Sequence, residues 1–422
     1  MTLTDNDRSI ALFTMTAHGI VHWFELAIPI LLVVWIAEFE VSVALIGLIV
    51  ALGYAPFGIG ALPAGMLTDR YGPKPLVLVC LAGMSVAFVS LAFASSIVAV
   101  AASLLLWGVT ASVYHPAGLA LISTGVEDRG TVFAWHGIAG NVGIALGPFA
   151  TATLLVLFEW RLVAVALAAP GLLATAYGLR VRFDPTAALD DSAADAAGRS
   201  QSASDLVETS RTLFGGAFLL VFAVVTLVGL YYRGALTYLP EILNGLPAMS
   251  GVEAPAGFEE FALGDYVYVW LLVAGMAGQY AAGKLTSRVP VARGLVVVFA
   301  LLALLALAFV PVSSTGVGPI LLFCGALGFS LFAIEPFYQE AVAVYTSAET
   351  RGLAYGYTYL GMFGLGAASI SVGGVLLDRV STGAFFASLS VIALLGAGVA
   401  GKLLLDSSSE PARSTDAVVG DD

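Results

Sequence analysis

Long hydrophobic runs, separated by short polar connections, recur along the whole chain. Many of these runs reach about 20 residues, the length that a helix rising 1.5 Å per residue needs to cross roughly 30 Å of hydrocarbon. The sequence shows no series of ten-residue segments with alternating polarity, which is typical of membrane β-barrels. The pattern therefore predicts an all-α membrane protein.

The hydrophobic pattern places twelve membrane-spanning helices in two groups of six. The predicted spans are residues 11–37, 43–66, 75–95, 98–124, 131–157, 161–181, 213–243, 265–288, 292–312, 316–346, 352–377 and 383–404. A polar stretch rich in Ala, Ser and Asp stands between the two groups, and a second polar connection at 244–265 has room for a short amphipathic helix. The predicted organisation is a six-helix bundle at 1–182, a cytoplasmic linker at 183–212, a second six-helix bundle at 213–404 and an acidic tail at 405–422.

Basic residues fall mostly on one side of the predicted membrane. If the N-terminus is cytoplasmic, only Arg161 and Arg379 lie outside and only Arg233 lies well inside a span. Positively charged loops favour the cytoplasmic side, so both termini are expected there, in the plasma membrane. The acidic N-terminus does not resemble a cleavable signal peptide, and the first helix is expected to direct insertion.

Composition supports this assignment and adds one expectation about the source. Hydrophobic residues make up 59% of the chain and charged residues 11%, too apolar a mixture for a soluble protein. The net charge of −12 and the scarcity of lysine are typical of a halophilic prokaryote, although an acidic tail alone is the alternative. Cys80 and Cys324 fall inside predicted spans and are expected to pack as small apolar residues.

The two halves repeat each other. Gly65–Arg70 ends the second span, and the similar Gly283–Arg288 ends the eighth. His115–Pro116 in the fourth span corresponds to Glu335–Pro336 in the tenth. A duplicated six-helix unit is a transporter architecture, with the substrate site between the halves near the bilayer midplane.

The loop after the second span resembles the signature loop of the major facilitator superfamily. The matching residues are Gly65, Asp69, Arg70, Gly72 and Lys74. In such a loop the first glycine permits close helix contact, the acid pairs with a neighbouring helix end, and the basic residues anchor the loop at an anionic cytoplasmic face. The resemblance implies two pseudo-symmetric six-helix bundles with this loop as a conformational gate.

The second copy of the loop keeps Arg288 but has Ser287 in place of the acid, which makes any acid-based latch asymmetric. A narrower resemblance, to fosmidomycin-resistance-like efflux proteins, lies in the histidine-bearing first helix, in 112–116 and in Gly140–Pro148. The last segment also resembles the superfamily's Gly-Pro antiporter motif. Leu104 stands where many proton-coupled drug exporters carry arginine. The resemblance implies efflux by proton antiport.

All four histidines fall in spans of the first half. His18, His22 and Glu25 lie within an arc of about 60° on one helix face. We interpret this stripe as a proton-coupling site, because imidazole beside a buried carboxylate exchanges protons near neutrality. Hydrogen bonds that only fix packing are the alternative. Two histidines and a carboxylate are also competent metal ligands, but no cysteine or further acid lies nearby in sequence, so no metal site is predicted.

Two further ionisable residues precede prolines at corresponding places in the two halves. His115 and Glu335 are therefore predicted to face the central cavity from opposite halves, and Glu335 is a second proton-coupling candidate. The alternative is that each satisfies the local helix break. His136, Asn141 and Gln339 are predicted to extend the cavity lining.

Arg233 needs a carboxylate or an anionic substrate, because an unpaired guanidinium in hydrocarbon costs several kcal/mol. We favour an ion pair with Glu25 or Glu335 over direct substrate binding. An arginine this far along a long span could also reach the outer surface.

The sequence contains no phosphate-binding loop for ATP and no nucleophile elbow, so we predict neither an enzyme nor a bound cofactor. The predicted function is secondary transport of a small solute by alternating access, with proton-coupled efflux of an amphipathic or anionic compound as the leading form. Uptake of an organic anion coupled to H⁺ or Na⁺ is the alternative. A non-transporting receptor and a membrane enzyme are less favoured. The expected partners are the substrate, the coupling ion and the bilayer, with no nucleic acid, and the chain is expected to be a monomer.

Overall fold

The computed structural model describes residues 3–189, 203–250, 262–347 and 350–409. The described chain is helical and contains no β-strand. The first half contains α1 (Asp5–Glu38), α2 (Val43–Ile59), α3 (Ala61–Tyr71), α4 (Pro73–Leu91), α5 (Ile97–Ala111), α6 (Tyr114–Gly125), α7 (Arg129–Leu155) and α8 (Trp160–Arg180). The second half contains α9 (Ala203–Phe214), α10 (Phe218–Asn244), α11 (Pro247–Ser250), α12 (Leu263–Leu285), α13 (Val291–Ser313), α14 (Val317–Tyr345), α15 (Arg351–Tyr359), a π-helical segment (Leu360–Leu365), α16 (Ala368–Arg379) and α17 (Thr382–Ser409).

Each predicted span corresponds in place to a helix or a broken helix, but not all of them are apolar enough to meet the same criterion. Among the described residues, ten helical segments are long and apolar enough to cross a membrane, and the bent pair α2 and α3 brings the number to eleven. The eighth predicted span is α12, whose 23 residues are long enough to cross but include Asp265, Gln279 and Lys284. The all-α fold of two six-helix bundles is therefore confirmed, with one span more polar than the others.

Several spans are interrupted where the sequence weakens the helix. The second span bends by 46° between α2 and α3, next to Gly60 and one turn after Pro56. The fourth span breaks between α5 and α6, immediately before His115–Pro116, as the proline predicted. Pro336 instead lies inside the uninterrupted α14. The eleventh span contains the π-helical segment, a type of irregularity that often marks functional positions.

Each half is built from tightly packed helix pairs, and further helix pairs join the halves. Within the first half α1 packs along α7 and α4 along α8, and within the second half α12 packs along α14 and α13 along α17. Between the halves, α2 contacts α16 and the π-helical segment, α7 contacts α12, and α1 contacts α10. The interface between the bundles therefore runs through the middle of the molecule.

The halves are closely packed at one face of the membrane, which we call the far face because α1 ends there at Glu38. A Cβ atom built on Gly374 would lie 2.7 Å from the carbonyl oxygen of Val43, and one on Gly47 would lie 3.0 Å from that of Ile370. Nearer the midplane, a Cβ on Gly58 would overlap the backbone nitrogen of Gly364. Glycine is required at these positions because the two backbones nearly touch.

At the opposite face, which we call the termini face because α1 begins there, the packing is looser. A Cβ on Gly65, Gly137 or Gly283 would meet no other atom within 4 Å. The halves do approach beside α3, where the Leu62 side chain lies 3.0 Å from the Cβ position of Gly356. The close helix contact that the sequence predicted at Gly65 is absent from this conformation.

The predicted linker is partly structured. Its first residues dock on the termini face, where Asp184 exchanges hydrogen bonds of 2.8 and 3.1 Å with Asn6. Its last part belongs to α9, a helix that the sequence analysis did not predict, and Phe214 at the end of α9 packs against the rings of Phe218 and Tyr357. Residues 190–202 and most of the predicted tail, 410–422, lie outside the described residues.

The packing generates a stability prediction for two glycines, one near the midplane of the bundle interface and one at the termini face. Gly58→Ala is expected to lower the apparent melting temperature in detergent, because its methyl group would displace the backbone at Gly364. Gly65→Ala is the matched control and is expected to leave the melting temperature unchanged, since its methyl group has open space. Equal melting temperatures for the two variants would contradict the close contact at Gly58.

Candidate functional site

The four histidines come together at the centre of the first half, although they lie on three helices. The rings of His18 and His136 stack with centroids 3.8 Å apart, and the His18 and His22 centroids are 4.7 Å apart. His115 lies 5.5 Å from His18 and 5.7 Å from His22, measured between ring centroids. Gly140 makes the space, because a Cβ atom there would overlap the His18 ring.

Hydrogen bonds fix the orientation of most of these rings. Nδ1 of His18 lies 2.8 Å from the carbonyl oxygen of His136, and Nδ1 of His22 lies 2.6 Å from Oε2 of Glu25. The Tyr114 hydroxyl donates to the carbonyl of Thr14 at 2.6 Å, so Nε2–H of His136 donates to the tyrosine oxygen at 3.0 Å. The stripe predicted on α1 is thus a connected network.

A buried ion pair joins the two halves beside the histidines. Oε1 of Glu25 on α1 contacts the guanidinium of Arg233 on α10, and the two side chains are 1% and 4% exposed. The guanidinium lies 4.9 Å from the ring centroid of Tyr54 and 4.3 Å from that of Phe363. Of the partners that the sequence left open for Arg233, the structure selects Glu25. The arginine does not extend to the outer surface.

A second polar connection crosses between the halves from α7 to α14. Nδ2 of Asn141 donates to Oε1 of Gln279 at 2.7 Å, and Nε2 of Gln279 donates to Oε2 of Glu335 at 3.0 Å. Nε2 of Gln339 donates to Oε1 of Glu335 at 2.9 Å. Gln279 did not emerge from the sequence analysis, because a single amide in the eighth span has no periodicity that marks it.

Comparison with known proteins decides the family. A family model described as the Major Facilitator Superfamily matches residues 11–369. The chain belongs to the Major Facilitator Superfamily. Membership of this superfamily implies that the chain is a multi-pass membrane protein that carries a solute by secondary transport. No curated protein matches the chain.

The fold of this superfamily member is similar to that of a solved transporter. The crystal structure of a bacterial homolog of the human lysosomal transporter Spinster, in an inward-facing and unoccupied conformation, superimposes with a TM-score of 0.70. The alignment covers 96% of this chain and 98% of that chain at 15% sequence identity. At this identity the likeness supports the fold alone. The resemblance to fosmidomycin-resistance-like proteins is not supported by these comparisons.

His115 and Glu335, which the sequence predicted as an opposed pair, have different surroundings in this superfamily fold. His115 stacks on Tyr359 of the second half with centroids 4.5 Å apart and also faces Phe57 at 5.7 Å. Glu335 belongs to the chain of amides. Among the described residues, His115 and Glu335 form neither a hydrogen bond nor an ion pair with each other.

The signature loop is only partly engaged. Gly72 has a positive φ of 81°, which the turn between α3 and α4 requires. Lys74 donates to the carbonyl oxygen of Val181 at 2.6 Å, and the Arg70 guanidinium lies 5.2 Å from the Tyr71 ring centroid. Within the described chain, neither Asp69 nor Arg288 makes a side-chain hydrogen bond or ion pair. The pairing predicted for Asp69 is thus absent from this conformation, in keeping with the loose packing at the termini face.

The ion pair gives a stability prediction with an internal control. Glu25→Gln leaves Arg233 buried without its counter-charge, and breaking a buried pair in this way typically costs roughly 3–5 kcal/mol. Glu38→Gln breaks the pair with Arg161 at 2.9 Å, whose side chains are 38% and 31% exposed, and this is expected to cost at most about 1 kcal/mol. Thermal unfolding in detergent, followed by tryptophan fluorescence, is expected to rank the variants in this order. Equal melting temperatures would show that the buried pair does not hold the halves together.

Proposed function

We propose that this chain is a proton-coupled transporter that exports a small amphipathic or anionic solute across the plasma membrane, with both termini in the cytoplasm. Family membership supports the transport of a solute. The placement of Glu335 supports coupling to protons, and the Gly140–Pro148 segment, which resembles an antiporter motif, supports export.

Glu335 is the carboxylate best suited to carry the proton. Both of its oxygens accept hydrogen bonds from neutral amides, those of Gln279 and Gln339, and it makes no ion pair within the described chain. A carboxylate without a counter-charge is costly inside a membrane protein, so binding a proton relieves that cost. The titratable groups close enough to interact electrostatically with Glu335 are His22, Glu25 and the tyrosines at 232, 338 and 359.

Glu25 is less suited to this task. Its two oxygens contact Arg233 and His22, so its negative charge is already compensated. Taking up a proton there would leave the buried guanidinium unpaired. Through its ion pair with Arg233, Glu25 therefore acts as a joint between the two halves, and its carboxylate stays ionised throughout the transport cycle.

Protonation of Glu335 is coupled to the bundle interface through the amide of Gln279. A proton on Oε2 adds a donor there and makes that oxygen a poorer acceptor, which weakens the bond from Nε2 of Gln279 and favours Oε1 of Gln279 as the partner. Rotation of the Gln279 amide to accept the proton would turn Nε2 toward Nδ2 of Asn141, so the bond to the other half would be lost. Loss of this connection favours the separation of α7 from α12 and biases the exchange between the two open states.

Uptake of an organic anion is the second candidate, and one observation favours it. Nε of Arg233 is buried without a hydrogen-bond partner in the described part of the structure. A carboxylate or phosphonate on the solute could accept from this group if the ion pair with Glu25 loosens during the cycle.

Proteoliposomes that contain a pH-sensitive dye test the assignment of Glu335. With a panel of amphipathic compounds and organic anions, wild type is expected to move protons with at least one solute. Glu335→Gln is expected to abolish the solute-linked pH change, because its amide cannot bind a proton. Glu340→Gln, an exposed neighbour on the same helix, is the matched control and is expected to behave as wild type. Proton movement that survives in Glu335→Gln would contradict the proposal.

The direction in which protons move relative to the solute distinguishes export from uptake. This test does not require the orientation of the protein in the vesicles to be known. Proton antiport accumulates solute in vesicles that are acidic inside, since protons leave as solute enters. Symport accumulates solute in vesicles that are acidic outside. The proposal predicts the first result. Accumulation that requires Na⁺ and ignores the pH gradient would support sodium coupling instead.

A further inference from the structure

Neutral His18 and His22 rings do not account for how close their Nε2 atoms lie. Nδ1 of each ring faces an oxygen that carries no hydrogen, the His136 carbonyl for His18 and the ionised Glu25 carboxylate for His22. Both Nδ1 atoms are therefore donors, and in neutral imidazoles both Nε2 atoms then carry lone pairs. These two Nε2 atoms nevertheless lie 3.1 Å apart. Two lone pairs repel at this distance unless a cation lies between them.

A third imidazole completes the arrangement. One ring nitrogen from each of His18, His22 and His115 lies within 4.8 Å of the others. Nδ1 of His115 is buried and has no hydrogen-bond partner in the described structure. This ring comes from α6, far away in sequence, which explains why the sequence analysis counted two histidines and a carboxylate and predicted no metal site.

We propose that His18, His22 and His115 form a binding site for one divalent transition-metal ion of the zinc class. Zinc bonds to histidine nitrogen are about 2.0–2.1 Å long, so tetrahedral ligand atoms lie roughly 3.4 Å apart. The Nε2 atoms of His18 and His22, at 3.1 Å, are already near this spacing. His115 has to approach by a small side-chain rotation, and no hydrogen bond to its Nδ1 opposes this.

The partners of the first two histidines match those of metal ligands. Metal-binding histidines usually donate their other N–H to a carboxylate or a backbone carbonyl, which fixes the tautomer and raises the basicity of the ligand. His22 has the Glu25 carboxylate in this role, and His18 has the His136 carbonyl. The positive charge of Arg233 nearby is compensated by the same Glu25.

The ligand set also selects the class of metal. Imidazole nitrogens suit Zn²⁺, Ni²⁺ and Cu²⁺, whereas Mg²⁺ and Ca²⁺ prefer oxygen ligands. Three protein ligands leave a fourth position of a tetrahedral ion open to water or to a donor atom of a solute. The site does not depend on the proposed role of Glu335, since no atom of Glu335 is a ligand.

The site is tested by titrating Zn²⁺ into the purified, chelator-treated protein in detergent and measuring binding by calorimetry. Wild type is expected to bind one Zn²⁺ per chain, with no competition from excess Mg²⁺. His115→Gln is expected to weaken binding by more than the roughly 10–100-fold loss that is typical when only the partner of a ligand is removed. His136→Gln is the matched control, because His136 stacks on His18 but directs its Nε2 to Tyr114 and contributes its carbonyl from the backbone. This variant is expected to bind as wild type.

Three results would overturn the proposal: no zinc binding by wild type, undiminished binding by His115→Gln, or equal losses in His115→Gln and His136→Gln. The first would assign the contact between His18 and His22 to a shared proton. Should His115→Gln fail to elute as a single folded species, X-ray absorption of zinc-loaded wild type gives an independent measurement. The site predicts three imidazole nitrogens at about 2.0–2.1 Å from the metal, and a shell of oxygen atoms alone would contradict it.

Discussion

The ion pair between Glu25 and Arg233 is the constraint on which the centre of this transporter depends. Each charge is buried where it could not remain alone, so α1 and α10 must stay close enough for the two side chains to meet. The rest of the site is arranged around that requirement. Aromatic rings of both halves, including Tyr54 and Phe363, enclose the guanidinium and exclude water from the pair. The hydroxyl of Tyr54 also donates to the carbonyl oxygen of Glu25 at 2.6 Å, which ties α2 to the same point.

Two polar connections with different strengths cross between the halves. The ion pair is charged, buried and compensated on both sides, whereas the connection from Asn141 through Gln279 to Glu335 consists of amide hydrogen bonds and ends at a carboxylate without a counter-charge. We therefore assign them different parts in alternating access. In the proposed cycle, the ion pair is the joint about which the bundles move, and the amide connection is the contact that protonation of Glu335 weakens. The histidine cluster lies against the joint, where a bound metal ion would act on the same network through Glu25.

The sequence predicted the features that depend on local spacing. The length of the apolar runs gave the spans, and helical periodicity placed His18, His22 and Glu25 on one face. Features that depend on how helices approach one another were out of reach. Arg233 had two acceptable acids, and only the packing of α10 against α1 distinguishes them. His115 joined the histidines because α6 packs against α1. Gln279 was missed because one amide gives no pattern, and the open space around Gly65 depends on how the helices pack in this conformation.

The central claim is alternating access about the buried ion pair between Glu25 and Arg233. Distances across the bundle interface, measured at both faces, test this claim most directly. Spin labels at exposed positions 67 and 285 report on the termini face, and labels at exposed positions 158 and 380 report on the far face. The buried Cys80 and Cys324 would first be replaced by alanine. In lipid vesicles, pulsed electron paramagnetic resonance at acidic and neutral pH is expected to give opposite changes, so that the distance at one face lengthens as the other shortens. Distances that remain fixed at both faces, or that lengthen together, would contradict the account.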